Sequence, residues 1–115
     1  MAYDLVLVKR VREYLENIPN IEVNEQKMFG GLAFMIKGKM TINVSENQLM
    51  CRFDPDRTAE VAERKGYVQM IMKGKVFKGY CYVEPTGFEH PNDFTFWMDL
   101  CLDFNERAKS SKKRI

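Results

Sequence analysis

The sequence predicts an α+β domain: an antiparallel sheet with its helices on one face, two layers in all, in the order α-β(3–4)-α-β(2)-α. Three observations carry this. Apolar residues recur every three or four positions at both ends of the chain. Short stretches between them alternate apolar with polar side chains. Two of those stretches are broken by a Lys-Gly pair, at 37–38 and 73–74, where a tight hairpin needs positive φ.

The first helix is "DLVLVKRVREYLENI". Leu5, Val8, Val11, Leu15 and Ile18 make one apolar face, Asp4 caps the start, and Pro19-Asn20 ends it. "IEVNEQKMF" is a short extended stretch with Ile21 and Val23 on one side. "LAFMIKGKMTINV" reads as two strands around Lys37-Gly38. Met40, Ile42 and Val44 alternate there with Lys39, Thr41 and Asn43, predicting one buried and one wetted face. "QLMCRF" follows as the next strand.

"DPDRTAEVAERKG" carries dense helix signals: Asp54 as N-cap, Pro55 at the first position, Asp56 at the positive end of the dipole, and Gly66 past the end. Its apolar face is thin (Ala59, Val61 and Ala62), which predicts a helix over 55–65 lying near the surface. "YVQMIM" and "VFKGYCYV" form a second hairpin around Lys73-Gly74. Its tip "IMKGK" nearly repeats "MIKGK" at 35–39, which reads as one turn chemistry used twice. The last helix follows Pro91, with Phe94, Trp97, Met98, Cys101 and Leu102 on one face; Trp97 is read as core rather than as a ligand platform.

At 115 residues the chain is read as one domain, 1–108, with a basic tail, 109–115. Residues 107–115 carry five basic side chains and no acid, leaving 13 basic against 16 acidic ones in residues 1–106. Behind the net charge of +2, therefore, the body is acidic and only the tail is basic, unlike a basic nucleic-acid surface. No apolar run reaches the length of a membrane span, and the N-terminus lacks the pattern of a signal peptide. The three cysteines, Cys51, Cys81 and Cys101, are widely spaced in apolar surroundings, the pattern of buried thiols in a reducing cytoplasm.

Catalytic constellations are missing from the sequence. His90 is the single histidine and is read as a cap or surface residue. Ser45, Ser110 and Ser111 lie in no nucleophile-elbow sequence, and the ligand types of a zinc site are too few. Asp54, Asp56, Glu60 and Glu63 fit helix capping and a solvated face. Gly30 and Gly31 lead from one extended stretch into another, with no helix N-terminus to receive an anion. They are read as a bulge or tight bend that brings Phe29 to the core. No cofactor is expected.

The segments "KMFGGLAFMIKGKM", "LMCRFDP" and "MKGKVFKGYCYVEP", ahead of a Trp-bearing last helix, resemble the N-terminal domain of the TfoX/Sxy family over roughly residues 10–108. Met28-Phe29-Gly30-Gly31 is the most specific part, with Lys78-Gly79-Tyr80, the Tyr82-Val83 strand and Trp97 in support. The likeness is to the short, stand-alone members. It implies a small two-layer fold of helix, three strands, helix, two strands and helix. It also implies a bacterial regulator of natural competence acting with a cyclic-AMP-responsive transcription factor. The longer relatives carry a second, helical C-terminal domain, whereas this sequence ends in "KSSKKRI" after its last helix. A DNA-linked role resting on that domain is not implied here. The arginine often preceding the motif is Lys27, which keeps the charge but loses the planar fork. The resemblance supplies no catalytic residues.

The functional expectation is a non-enzymatic regulatory or protein-interaction domain. The alternative is a nucleic-acid module using Lys37, Lys39, Lys73, Lys75 and Lys78 at the hairpin tips, Phe77 and Tyr80 as stacking rings, and the tail as an arm. Tyr67, Met70 and Met72 flank the second hairpin, and Phe88 precedes the last helix. Apolar sheet or edge surface left open by the thin helix predicts a homodimer, or a groove for a partner's helix or strand. The competing expectation is that these methionines fill the core of a monomer.

Overall fold

The structure is a computed structural model that describes residues 3–28 and 30–106, with Met72 described by its backbone alone. Phe29 and the basic tail lie outside the described residues. Helix α1 (Leu5–Glu16) precedes four strands: β1 (Val23–Met28), β2 (Gly31–Ile36), β3 (Lys39–Ser45) and β4 (Gln48–Arg52). A 3-10 turn (Pro55–Arg57) leads into the short helix α2 (Thr58–Val61). Then come β5 (Tyr67–Met72), β6 (Lys75–Val83), a second 3-10 turn (Pro85–Gly87) and helix α3 (Pro91–Asn105). The strands form one six-stranded sheet in the order β1-β2-β3-β4-β6-β5, antiparallel at every pairing. The α+β class and the α-β-α-β-α order stand as the sequence predicts, with four strands in the first run.

The caps follow local chemistry. Asp4 Oδ1 accepts the backbone N–H groups of Val6 and Leu7 at 2.9 and 3.3 Å, satisfying two orphan donors of α1. His90 caps α3, its Nδ1 accepting from Asn92 N–H at 3.1 Å, with Pro91 in the first turn. Both Lys-Gly turns put positive φ on two successive residues, 57° and 75° at 37–38 and 54° and 79° at 73–74. That geometry matches the right-handed twist of the flanking strands.

One sheet face carries the main core. Phe34, Ile36, Ile42, Val44, Leu49, Cys51, Cys81 and Val83 pack there beneath Val8, Val11 and Leu15 of α1 and Phe94, Trp97, Met98 and Cys101 of α3. The buried indole of Trp97 donates to the Gly87 carbonyl at 3.0 Å, so its polar handle is satisfied. Asn105, also buried, donates to Ile36 O at 3.2 Å and Thr41 Oγ1 at 3.0 Å, tying the end of α3 to the β2–β3 hairpin.

Three local expectations are corrected. The helix over 55–65 shrinks to one 3-10 turn and the four residues of α2, because only Val61 is buried and little packing supports a longer helix. In α1, Leu5 is 71% exposed and Leu7 takes its place in the core. The stripe thus runs through Leu7, Val8, Val11 and Leu15, while Leu5 in the first turn faces away. The wetted face expected for β3 is buried instead: Thr41 and Asn43 are 2% and 0% exposed. A register shift at Phe34/Met35 breaks the simple alternation along the β2–β3 ladder. On the side away from the helices, Ala33, Met35, Met40, Met50 and Met70 form a second apolar cluster, with Met28, Tyr80 and Tyr82 packed against it. Methionine suits that position, since its unbranched chain fills irregular space on a twisted sheet.

Candidate functional site: a projecting basic hairpin

β4 ends at Arg52, opposite Tyr80 of β6. Beyond that point β6 has, among the described residues, only β5 beside it: Lys75 and Val76 pair with Met72 and Ile71, a register shift separates them from the Gln69–Cys81 pair, and the Lys75–Gly79 stretch with the end of β5 projects from the sheet as an arm. Gly79 marks the root of the arm, with φ +86° and its carbonyl accepting from Phe53 N–H at 2.8 Å. A Cβ at Gly79 would lie 3.0 Å from the Phe53 carbonyl oxygen and 3.1 Å from Pro55, so both the conformation and the tight approach favour glycine.

The arm is apolar and basic together. Ile71, Val76 and Phe77 are 59%, 47% and 38% exposed, among the few large apolar side chains open to solvent. Lys73, Lys75 and Lys78 are exposed, and among the described residues none forms an ion pair. Residues 66–83 contain no acid at all. Phe77 stacks on Tyr80 with centroids 4.4 Å apart and planes 4° from parallel, and the Arg52 guanidinium lies 5.7 Å from the Tyr80 ring.

The topology sets both lysine-bearing hairpin tips at the same end of the sheet, but their side chains differ in state. Lys39 Nζ donates to the Asn105 carbonyl at 2.6 Å, a C-terminal contact on α3, and Lys37 lies 3.8 Å from Glu106. Lys37 and Lys39 are thus engaged by the end of α3, apart from the arm that unites Lys73, Lys75, Lys78, Phe77 and Tyr80. Met70 is 4% exposed and belongs to the second cluster, so it takes the core role among the two weighed for it. The side chain of Met72 lies outside what the structure describes. Sequence reasoning passed over Ile71, Val76 and Arg52. The β-branched residues either side of Met72-Lys73-Gly74-Lys75 were a signal for the first two. Nothing local marked Arg52, which reaches Tyr80 only through the β4–β6 pairing.

The glycine pair has a different task. Met28 faces Gly31 across the β1–β2 ladder, so the bend expected there is a tight hairpin, with Gly30 at φ +73°. A Cβ on Gly31 would collide with the Val44 carbonyl oxygen and Asn43 Oδ1. Asn43 Nδ2 donates to Met28 O at 2.8 Å, bracing the hairpin against β3, while its buried Oδ1 has no partner among the described residues. An open cleft of about 540 Å³ borders this corner, lined by Tyr3, Lys27, Met28, Gly30 and Gly31. Among the described residues no acid, histidine or cysteine lines it.

Electrostatics elsewhere serve packing. Arg12 grips Glu25 through two hydrogen bonds of 2.7 Å, joining α1 to β1 and holding the Glu25 carboxyl below the usual carboxylate range. Tyr14 donates to Asp99 at 2.6 Å, and burial followed by that bond pushes its phenol up to about 12. Among the described residues no group of His, Cys, Asp or Glu is arranged to hold a metal ion. No helix there is long and apolar enough to cross a membrane.

With motif glycines, hairpins and the Trp97 anchor in place, the chain matches the sequence profile of the TfoX N-terminal domain over residues 13–105. It belongs to the TfoX N-terminal domain family. Neither the curated proteins nor the solved structures contain a significant match to it. In this TfoX N-terminal domain, Met28, Gly30 and Gly31 shape the β1–β2 turn, Gly79 roots the arm and Trp97 fills the core. Met28, Gly30 and Gly31 thus serve the β1–β2 turn, while exposed apolar and basic side chains gather on the β5–β6 hairpin.

Proposed function

We propose that this domain acts by binding rather than by catalysis, as a competence-regulator-like interaction domain in the bacterial cytoplasm, and that the β5–β6 arm is its contact surface. The single observation behind this reading is the arm itself. It joins exposed Ile71, Val76 and Phe77 to three lysines that have no ion-pair partner among the described residues. Apolar side chains clustered on a projecting element, rimmed by charge, are the anatomy of a recognition surface. Family membership supports a regulator-like domain.

A second reading is favoured by one feature. The Phe77–Tyr80 stack beside Lys73, Lys75 and Lys78 offers a ring and cations to a single-stranded nucleic acid. The acidic balance of residues 1–106 opposes it.

Affinity capture from the native host separates these readings, using the tagged chain and its Phe77→Asp variant. The interaction reading expects a protein that is retained by the parent chain, lost with the variant and indifferent to nuclease. Equal recovery on both chains, or retention that nuclease abolishes, would overturn it. Light scattering at high micromolar concentration tests the homodimer: a monomer mass there rules it out.

A further inference from the structure

The sheet has two edges, and they are treated differently. β1 carries Glu25 and Lys27 among polar neighbours, and Arg12 folds across to Glu25. Charged side chains of this kind discourage a further strand from pairing. β5, "YVQMIM", has no charge and no proline; it pairs with β6 on one side, with one register shift between Gln69 and Ile71, and among the described residues has no strand on the other. Its outer row of backbone N–H and C=O groups is a template for another extended chain.

We propose that the free edge of β5 receives an extended acidic peptide as a seventh strand. This rests on the interaction reading above and names its partner's chemistry. Charge selects the occupant. Residues 66–83 hold Lys73, Lys75 and Lys78 and no acid. A strand laid along β5 places its side chains beside this cluster, where glutamate or aspartate is attracted and lysine repelled. The same three positive charges act against edge-to-edge pairing with a second copy, which would bring like-charged arms together. Backbone pairing also decides against nucleic acid, because a peptide answers the ladder of donors and acceptors on β5 and a phosphate chain does not. Ile71, Val76 and Phe77 add apolar contacts for alternate side chains of the incoming strand.

The probe is a fluorescein-labelled seven-residue peptide of alternating glutamate and valine, titrated into the full chain at low salt. Controls are the same peptide with lysine for glutamate, the peptide N-methylated at alternate backbone amides, and a seven-nucleotide oligothymidine. Saturable binding is expected for the glutamate peptide alone, with amide NMR shifts concentrated on Tyr67–Met72. Replacing Lys73, Lys75 and Lys78 with Ala should weaken it about tenfold and flatten its salt dependence. These side chains are exposed, and an unchanged thermal midpoint confirms that the variant folds. Absent binding, equal binding of the lysine or N-methylated peptide, binding of the oligothymidine in its place, or a dimer occupying the β5 edge would each overturn the proposal. Peptide failure with Phe77-dependent protein capture intact refutes the acidic strand alone. Failure of both refutes the interaction reading as well.

Discussion

Cys51 stands directly opposite Cys81 on neighbouring strands, and both share the main core with Cys101 of α3. Three cysteines far apart in sequence thus meet inside the core, each at most 1% exposed. Burial first, then the neighbouring Cys101 and Cys81, push the Cys51 thiol well above its ordinary range. A neutral, enclosed thiol is a poor nucleophile. A small disulfide reagent should therefore label none of the three in the native protein, and labelling should follow global unfolding across a denaturant series. Rapid labelling under native conditions would contradict the enclosed cluster.

Gly31→Val should be among the most damaging changes at the β1–β2 turn. The added side chain meets the Val44 carbonyl and Asn43 with no room to relax, so a loss of about 3 kcal/mol or more is expected. Gly30→Ala meets nothing nearby and suffers from φ +73° alone, about 1 kcal/mol. Denaturation midpoints of the two variants should fall in that order.

The helix caps, the Lys-Gly hairpins and the α3 stripe were legible because each depends on chemistry within a few residues. The β1–β2 hairpin was half legible: Gly30-Gly31 announced a bend, but "VNEQKM" lacks a strand's apolar alternation. It became a strand by pairing with β2. Convergence of the cysteines was invisible, since β4 pairs with β6 across the intervening α2 and β5, and α3 packs above both. Burial of Asn43 and Thr41 was missed for a related reason. The register shift on the β2–β3 ladder puts Met40 in the second cluster, away from Ile42 and Val44, and Thr41 is enclosed by Asn105 of α3, so simple alternation foretold neither. Of the candidate contact surface, the lysines and Phe77 were legible as residues, while the projection of the arm required the end of β4 at Arg52.

Lys37 and Lys73 occupy positive φ, at 57° and 54°, where lysine is strained and asparagine is at ease. Lys73→Asn should raise stability by about 0.5–1 kcal/mol, whereas Lys73→Val should lower it by about 1 kcal/mol. Thermal melts of the pair check the sign.

Alkaline stability should depend on Tyr14. Its folded-state phenol titrates near 12, against about 10 in an unfolded chain. The raised value means that the contribution is complete below pH 10 and is lost as pH rises from 10 towards 12. Tyr14→Phe should lower stability at neutral pH by about 1 kcal/mol, modest because the Asp99 partner is solvated, and should flatten the decline between pH 10 and 12. Urea midpoints of both proteins across that range decide it.

Function through the β5–β6 arm is tested most directly by placing a photo-crosslinking amino acid at position 77 in the living host. Val6, 78% exposed in the first turn of α1, provides the control position. Irradiation should yield a discrete protein adduct from position 77 and none from position 6. No adduct from 77, or the same adducts from both positions, would contradict an interaction domain that works through its arm.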